Sequence, residues 1–301
     1  MLERIRAFFS ARGVLEVETP ALSRAGNTDP HIHSLAVSSG RELRYLHTSP
    51  EFPMKRLLAA GSGDIFQICR VFRAGETGRF HNPEFSLLEW YRVGWDHQRL
   101  MDEVQALLAW VLDGVAGWYP PRRVRYRELF QATLGLDPMT ADRDRLAAAA
   151  KAQGIILHGA GLDRDESLDL LFAHRVAPAL PADRLTFVYD YPASQAALAQ
   201  IRAGSPPVAE RFEVLWGALE LANGFHELRD GAEQRCRFEA ERGRRRDRGL
   251  PDVAHDERLL AALDHGLPPC AGVALGLDRV LVLITAAGRI DEVLSFVWAR
   301  A

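Results

Sequence analysis

An α+β fold, an antiparallel sheet flanked by helices, is what this 301-residue sequence predicts. Three observations carry the expectation. Strand candidates at 65–72 (IFQICRVF) and 84–95 (EFSLLEWYRVGW) follow one another with only a polar loop between them, as in an antiparallel pair. Two more strand candidates lie side by side in 211–225. The strands are not separated by regular helical crossovers, which argues against a doubly wound parallel sheet. With no internal repeat and no Pro- or Gly-rich linker, one domain over 1–301 is expected, with a helical insertion at about 122–183.

In chain order, residues 2–12 have amphipathic helical spacing and stop at Gly13. Val14 to Val17 reads as a short strand ended by Thr19-Pro20. Residues 21–42 read as loop, rich in Gly, Ser, Asn and Asp, and 43–47 as a strand. Ser49-Pro50-Glu51 opens a helix that ends near Gly61, since Pro suits a first helical turn. After the 65–95 hairpin, 97–112 and most of 122–183 read as helical, and 186–192 as a strand. Helices at 231–247 and 256–264, a strand at 271–276 and a helix at 277–286 close the chain.

Composition narrows the function. The chain is 48% hydrophobic and 26% charged with a formal charge of −3, which disfavours a protein that coats nucleic acid. Cys69, Cys236 and Cys270 lack metal-ligand spacing and read as reduced, partly buried thiols. No apolar run is long enough for a membrane span, so a cytoplasmic protein is expected. The basic run 241–249 (ERGRRRDRG) reads as a solvated helix face, or alternatively as a docking patch for an acidic partner. His31 and His33 lack an evident third ligand for a metal.

Three stretches carry chemistry. In 69–92, Glu89 and Tyr91 are two apart on a strand and share a face with Phe85 and Leu87. A carboxylate beside a phenol, with Arg73 at the loop entrance, suits a cationic ligand; a solvated hairpin is the plain alternative. In 209–230, Glu213, Glu220 and Glu227 recur every seven residues. A helix would align them, whereas a strand would alternate them unless Asn223-Gly224 resets the face, so spacing alone does not prove convergence. Several acids in an apolar stretch invite an oxygen-seeking ion such as Mg²⁺. In 271–284, small residues lead from a strand into a helix bearing Arg279, whose planar fork can bind phosphate. Tight packing explains those glycines equally well.

Together these stretches resemble the signature motifs of class II aminoacyl-tRNA synthetases, in order and over almost the whole chain. VLEVETPAL (14–22) is similar to motif 1, FRAGETGRFHNPEFSLLEWY (72–91) to motif 2 and GVALGLDR (272–279) to motif 3. HNPEF, EWY and ELANGFHEL resemble the lysine-specific members. Motif 1 begins near the start, so the anticodon-binding domain of lysyl-tRNA synthetases is expected to be absent. That pattern, with TSPEFPMKRLLAAG and FVYDYPASQAALAQ, resembles the elongation factor P–lysine ligases.

The resemblance implies ATP-dependent activation of (R)-β-lysine or lysine as its adenylate, then transfer to a lysine side chain of elongation factor P. It implies a homodimer through motif 1, ATP as co-substrate and Mg²⁺. Arg73 would contact the α-phosphate and the substrate carboxylate, and Arg279 the γ-phosphate. Gly276 would admit the nucleotide, and Glu213 and Glu220 would hold Mg²⁺. Glu51 would take the backbone-type amine, and Glu89, Tyr91 and Glu227 the side-chain amine. Asn82 and Asn223 would orient the substrates. Ser49, Pro50 and Ala274 would shape the amino-acid pocket, with Ser49 and Ala274 setting selectivity. Gly75, Glu76, His81, Asn82, Glu220 and Leu221 would surround ATP, although Gly75 stands where the family has a Glu. The competing expectations are tRNA as acceptor, disfavoured by the charge, and an inactive paralogue that serves as a binding module.

Overall fold

A computed structural model describes residues 1–113, 119–155 and 162–301. Cα packing divides the chain into two compact units, one of residues 1–113 with 227–301 and one of residues 114–226.

The first unit opens with α1 (Leu2–Ser10), β1 (Leu15–Glu16), β2 (Leu22–Ser23), β3 (Ala36–Ser39) and β4 (Glu42–Leu46). Then come α2 (Glu51–Ala59), β5 (Ile65–Phe72), β6 (Glu84–Val93) and α3 (His97–Val111). Apolar residues of α1 (Ile5, Phe8, Phe9) fall on one buried face, as 3.6-residue spacing dictates. Phe9 stacks on Phe66 at 4.6 Å and meets Trp90 edge-on at 5.4 Å. Behind the sheet, Leu100, Met101, Val104, Leu107 and Leu108 of α3 are fully buried. Trp90 Nε1 donates to Glu103 of α3 at 3.0 Å, which satisfies the one polar atom of the buried ring.

The second unit begins at β7 (Tyr119–Arg125), followed by α4 (Tyr126–Leu134), α5 (Arg143–Ala152) and α6 (Arg164–Leu171). It continues with β8 (Arg184–Pro192), β9 (Ile201–Arg202), β10 (Val208–Trp216) and β11 (Leu219–His226). The strand order is β11-β10-β8-β7, with β9 on β10. Its core holds Tyr126, Phe130, Leu168, Leu171, Val188 and Tyr191; Tyr126 lies 4.6 Å from both Phe130 and Tyr191.

The chain then returns to the first unit with α7 (Gly231–Asp247), α8 (Glu257–Gly266), β12 (Cys270–Gly276) and α9 (Leu277–Thr285). Aspartates cap all three of α3, α7 and α8: Asp96, Asp230 and Asp256 each accept an orphan backbone N–H of the first turn. Strand order here is β1-β5-β6-β12. Glu89 of β6 lies opposite Gln67 of β5 and Ala274 of β12, while Tyr91 faces Gly272 and Leu87 faces Gly276.

The antiparallel core agrees with expectation, and five local readings are corrected. β1 pairs with β5 in parallel, as does β7 with β8. Residues 122–125 belong to β7, not to a helix, because pairing with β8 overrides their local preference. Residues 21–42 are not all loop, since β2 and β3 join β4 in a separate three-stranded sheet. The basic run is not wholly solvated. Arg245 is 3% exposed and donates to the carbonyls of Asp29 and Pro251, both at 3.0 Å. Of the three thiols, Cys236 is exposed rather than partly buried. Among the described residues no helix is long and apolar enough to cross a membrane.

Candidate active site

The front face of β6 and β12 carries the first cluster. Strand alternation puts Leu87, Glu89 and Tyr91 on one side, and Gly276, Ala274 and Gly272 lie opposite them. Large functional side chains on one strand thus rise beside small ones on the next. α2 supplies the facing wall. The Glu51 backbone N–H donates to Ser49 Oγ at 2.9 Å, fixing the start of the helix. The same hydroxyl donates to Glu89 Oε1 at 2.5 Å, and Tyr91 OH donates to Glu89 Oε2 at 3.2 Å. Pro50 is the N-cap residue of α2.

One turn after Glu51 comes a residue the sequence reading passed over. Lys55 is 1% exposed. Its Nζ lies 2.6 Å from Glu51 Oε1 and 2.6 Å from Glu227 Oε2. Glu227, also 1% exposed, is held at the sheet by its backbone N–H on the Cys270 carbonyl at 3.0 Å. The structure therefore brings together Ser49, Glu51, Glu89, Tyr91, Glu227 and Ala274, with Lys55 and Gly272 beside them.

Lys55 thus lies between two carboxylates, and Glu89 is held on the neighbouring strand by Ser49 and Tyr91. Burial, with the Glu51 charge, pushes Glu89 up to about 8 against the hydrogen bonds from Ser49 and Tyr91 and the nearby Arg73 charge. Burial likewise raises Glu227 to about 7, while Lys55 opposes the rise. Burial disfavours the Lys55 charge, but the Glu227 and Glu51 carboxylates outweigh it and hold the lysine protonated. A cationic ligand beside these carboxyls would favour their ionised forms.

The second cluster is the 73–83 loop with α9. The Arg73 guanidinium lies 5.1 Å over the Phe85 ring, donates to the Thr48 carbonyl at 3.3 Å and approaches Glu76 at 3.7 Å. Gly75 adopts φ +80, a left-handed conformation that a glycine takes without steric cost. Asn82 donates to the Glu84 carbonyl at 2.7 Å and accepts the Trp298 backbone N–H at 3.0 Å. Both ends of its amide thus fix this loop and the C-terminal tail. Arg279, in the first turn of α9, donates to the Phe80 carbonyl at 3.3 Å and meets His81 Nε2 at 2.7 Å. Gly276 is the N-cap residue of that helix.

The third cluster belongs to the second unit. Arg211 Nη2 lies 2.5 Å from Glu213 Oε1, and its Nε donates to Asn223 Oδ1 at 3.2 Å. A register shift between Val214 and Leu215 resets the strand, so the seven-residue spacing does not decide the faces. Burial raises Glu213 to about 7; Arg211 opposes this and the Glu220 charge adds to it. Two oxygen-donating acids that feel one another suit a hard divalent ion. Leu221 is buried.

Elsewhere, His31 Nε2 meets Arg248 at 3.3 Å, and the His33 carbonyl accepts the Ala74 N–H at 2.8 Å.

The first unit thus carries a buried acid cluster, a guanidinium loop and a strand-to-helix arginine. The family model of class II tRNA synthetases (D, K and N) matches residues 1–300, and the chain belongs to that family, whose members use ATP. Its relatives include the elongation factor P–(R)-β-lysine ligases of Klebsiella pneumoniae (strain 342) and Edwardsiella ictaluri (strain 93-146). Each is 50% identical over 309 residues, covering 100% of this chain and 94% of the relative. The ligase of the same name from Pseudoalteromonas translucida (strain TAC 125) is 49% identical over the same shares.

Proposed function

We propose that the chain joins (R)-β-lysine, or lysine, to a lysine side chain of elongation factor P at the expense of ATP. The observation that carries this reading is the acid surplus of the first cluster: Glu51 and Glu227 share the Lys55 ammonium, and Glu89 is bound only by the hydroxyls of Ser49 and Tyr91. A ligand with two ammonium groups supplies the missing positive charge. Buried acids without it are costly, so such a pocket favours a dication strongly over a neutral amino acid.

In the first step a substrate carboxylate oxygen attacks the α-phosphorus of ATP. The bond from that phosphorus to the bridging oxygen breaks, and pyrophosphate leaves. Such transfers depend on positioning and on neutralising charge. Arg73 is assigned to the α-phosphate and the carboxylate, and Arg279 to the γ-phosphate. Glu51 is assigned to the amine near the carboxylate, with Glu89, Tyr91 and Glu227 on the distal amine. Glu213 and Glu220 would hold Mg²⁺, which when bound offsets phosphate charge. His81 positions Arg279, and Asn82 fixes the loop that carries Arg73 and His81. In the second step a neutral acceptor amine attacks the adenylate carbonyl, AMP departs and the amine loses its proton.

A homodimer is supported by the exposed Leu15 and Leu22 in the motif 1 segment. A cytoplasmic location is supported by three unpaired cysteines. ATP–pyrophosphate exchange with (R)-β-lysine, lysine and a neutral-side-chain control tests the activation. Mass spectrometry of elongation factor P and of bulk tRNA after incubation tests the acceptor. Exchange with neither diamino acid, or label on tRNA alone, would overturn the reading.

A further inference from the structure

We infer that Lys55 is a built-in counter-ion of the amino-acid pocket, a positioning residue that holds the carboxylates of Glu51 and Glu227 ready for a doubly cationic substrate. The inference deepens the proposed function and rests on it for the identity of that substrate.

The geometry is the argument. Lys55 sits on α2 one turn beyond Glu51 and reaches both acids at 2.6 Å, with its side chain 2% exposed. A surface lysine would reach for water, because its long stem lets the ammonium escape a buried place. This one is turned inward between two acids from distant parts of the chain, whose separation it fixes. It also sets the charge of the pocket. Its one positive charge offsets part of the negative charge of Glu51 and Glu227, and a substrate ammonium would offset the rest.

Among the described residues that face the pocket, Glu51 comes from α2, Glu89 and Tyr91 from β6, and Glu227 from the position after β11 that bonds to β12. The Cys270 thiol on β12 feels both Glu227 and Lys55, as well as Arg229 and Asp64. Arg73 acts on Glu89. Removing the Lys55 charge removes an opposing influence on Glu227, so Glu227 keeps its proton to higher pH.

The test is Lys55→Met, which keeps much of the stem and removes the charge. In ATP–pyrophosphate exchange the KM for the diamino acid should rise at least ~10-fold near neutral pH, while the KM for ATP changes less than ~2-fold. The acid limb of kcat/KM for the diamino acid should move up by about one pH unit, so that raising pH recovers activity. A profile that superimposes on wild type, or equal losses toward both substrates, would overturn the inference. Wild-type exchange is the control: if it is absent the assigned activity fails, independently of Lys55. The ion cluster is then read without substrate by melting Lys55→Met, Glu227→Gln and the double variant. The double variant should melt above the sum of the two single losses, since neither partner is left stranded. Strictly additive losses would overturn the inference even for a protein that turns over nothing.

Discussion

Gly272 and Tyr91 face each other across the β6–β12 pair so closely that a β-carbon on the glycine would overlap the tyrosine ring. That same carbon would stand 2.5 Å from Glu227 Oε1. The missing side chain is therefore what allows the phenol and this carboxylate to lie side by side. Gly272→Ala should cost about 1–3 kcal/mol through overpacking. It should also reduce exchange with the diamino acid more than ~100-fold by displacing both groups. Thermal melts and exchange kinetics check the two halves. An active Gly272→Ala enzyme would show that the Tyr91 ring can move without consequence.

Glu89 leads to a prediction about protons. Its carboxyl is pushed up to about 8, by burial first and then by Glu51. An acid with a folded value above its unfolded one destabilises the protein as pH rises between the two. The ligand-free protein should thus lose stability from the ordinary carboxylate range up to about pH 8, and Glu89→Gln should flatten that decline. A cationic ligand should reverse the balance and expel the proton. Calorimetry of diamino-acid binding at neutral pH in two buffers of different ionisation enthalpy should give different apparent heats for wild type, and a smaller difference for Glu89→Gln. Equal heats in wild type would mean that Glu89 is already ionised in the empty pocket.

Asn82 ties the C-terminal tail to the loop of Arg73. Asn82→Ala leaves the Trp298 N–H and the Glu84 carbonyl without their partner, a loss on the order of 1–3 kcal/mol. The KM for ATP should rise several-fold and residues beyond 293 should exchange amide hydrogens faster, while the KM for the diamino acid stays within ~2-fold. An unchanged exchange rate at the tail would remove Asn82 from this positioning role.

How much of this was legible beforehand follows from where the constraint lies. Glu89 and Tyr91 were readable because strand alternation is local, whereas Glu51 and Ser49 entered as site residues only through the family resemblance. Lys55 was not readable. In MKRLL it looks like one more solvent-facing lysine, and only the tertiary meeting of α2 with Glu227 reveals its burial. An acid four residues earlier was the one available hint. Gly272 was visible only as part of a weak glycine pattern, since the reason for it lies on another strand. The acids of β10 and β11 stayed ambiguous because a register shift between Val214 and Leu215 cannot be read from spacing. β7 was misread because its prolines and arginines carry no strand signal, and its pairing partner lies some sixty residues away, β8 at Arg184–Pro192.

The acids of the second unit yield the remaining prediction. Arg211 holds Glu213 at 2.5 Å and Asn223 at 3.2 Å, so Glu213 has a fixed orientation before any ion arrives. Replacing one carboxylate of an oxygen-ligand set by an amide removes charge yet keeps shape, so its effect reports on the ion rather than on folding. Glu213→Gln and Glu220→Gln should each raise the Mg²⁺ concentration for half-maximal exchange at least ~10-fold. The KM for the diamino acid at saturating Mg²⁺ should change less than ~2-fold, because that ligand is assigned to other acids. Arg211→Lys should have a smaller effect than either, since an ammonium keeps the charge but loses the fork that grips Glu213 and Asn223 together. Magnesium titrations of exchange settle the matter. If both amide variants titrate like wild type, the ion is held by the nucleotide alone and these glutamates serve only to balance Arg211.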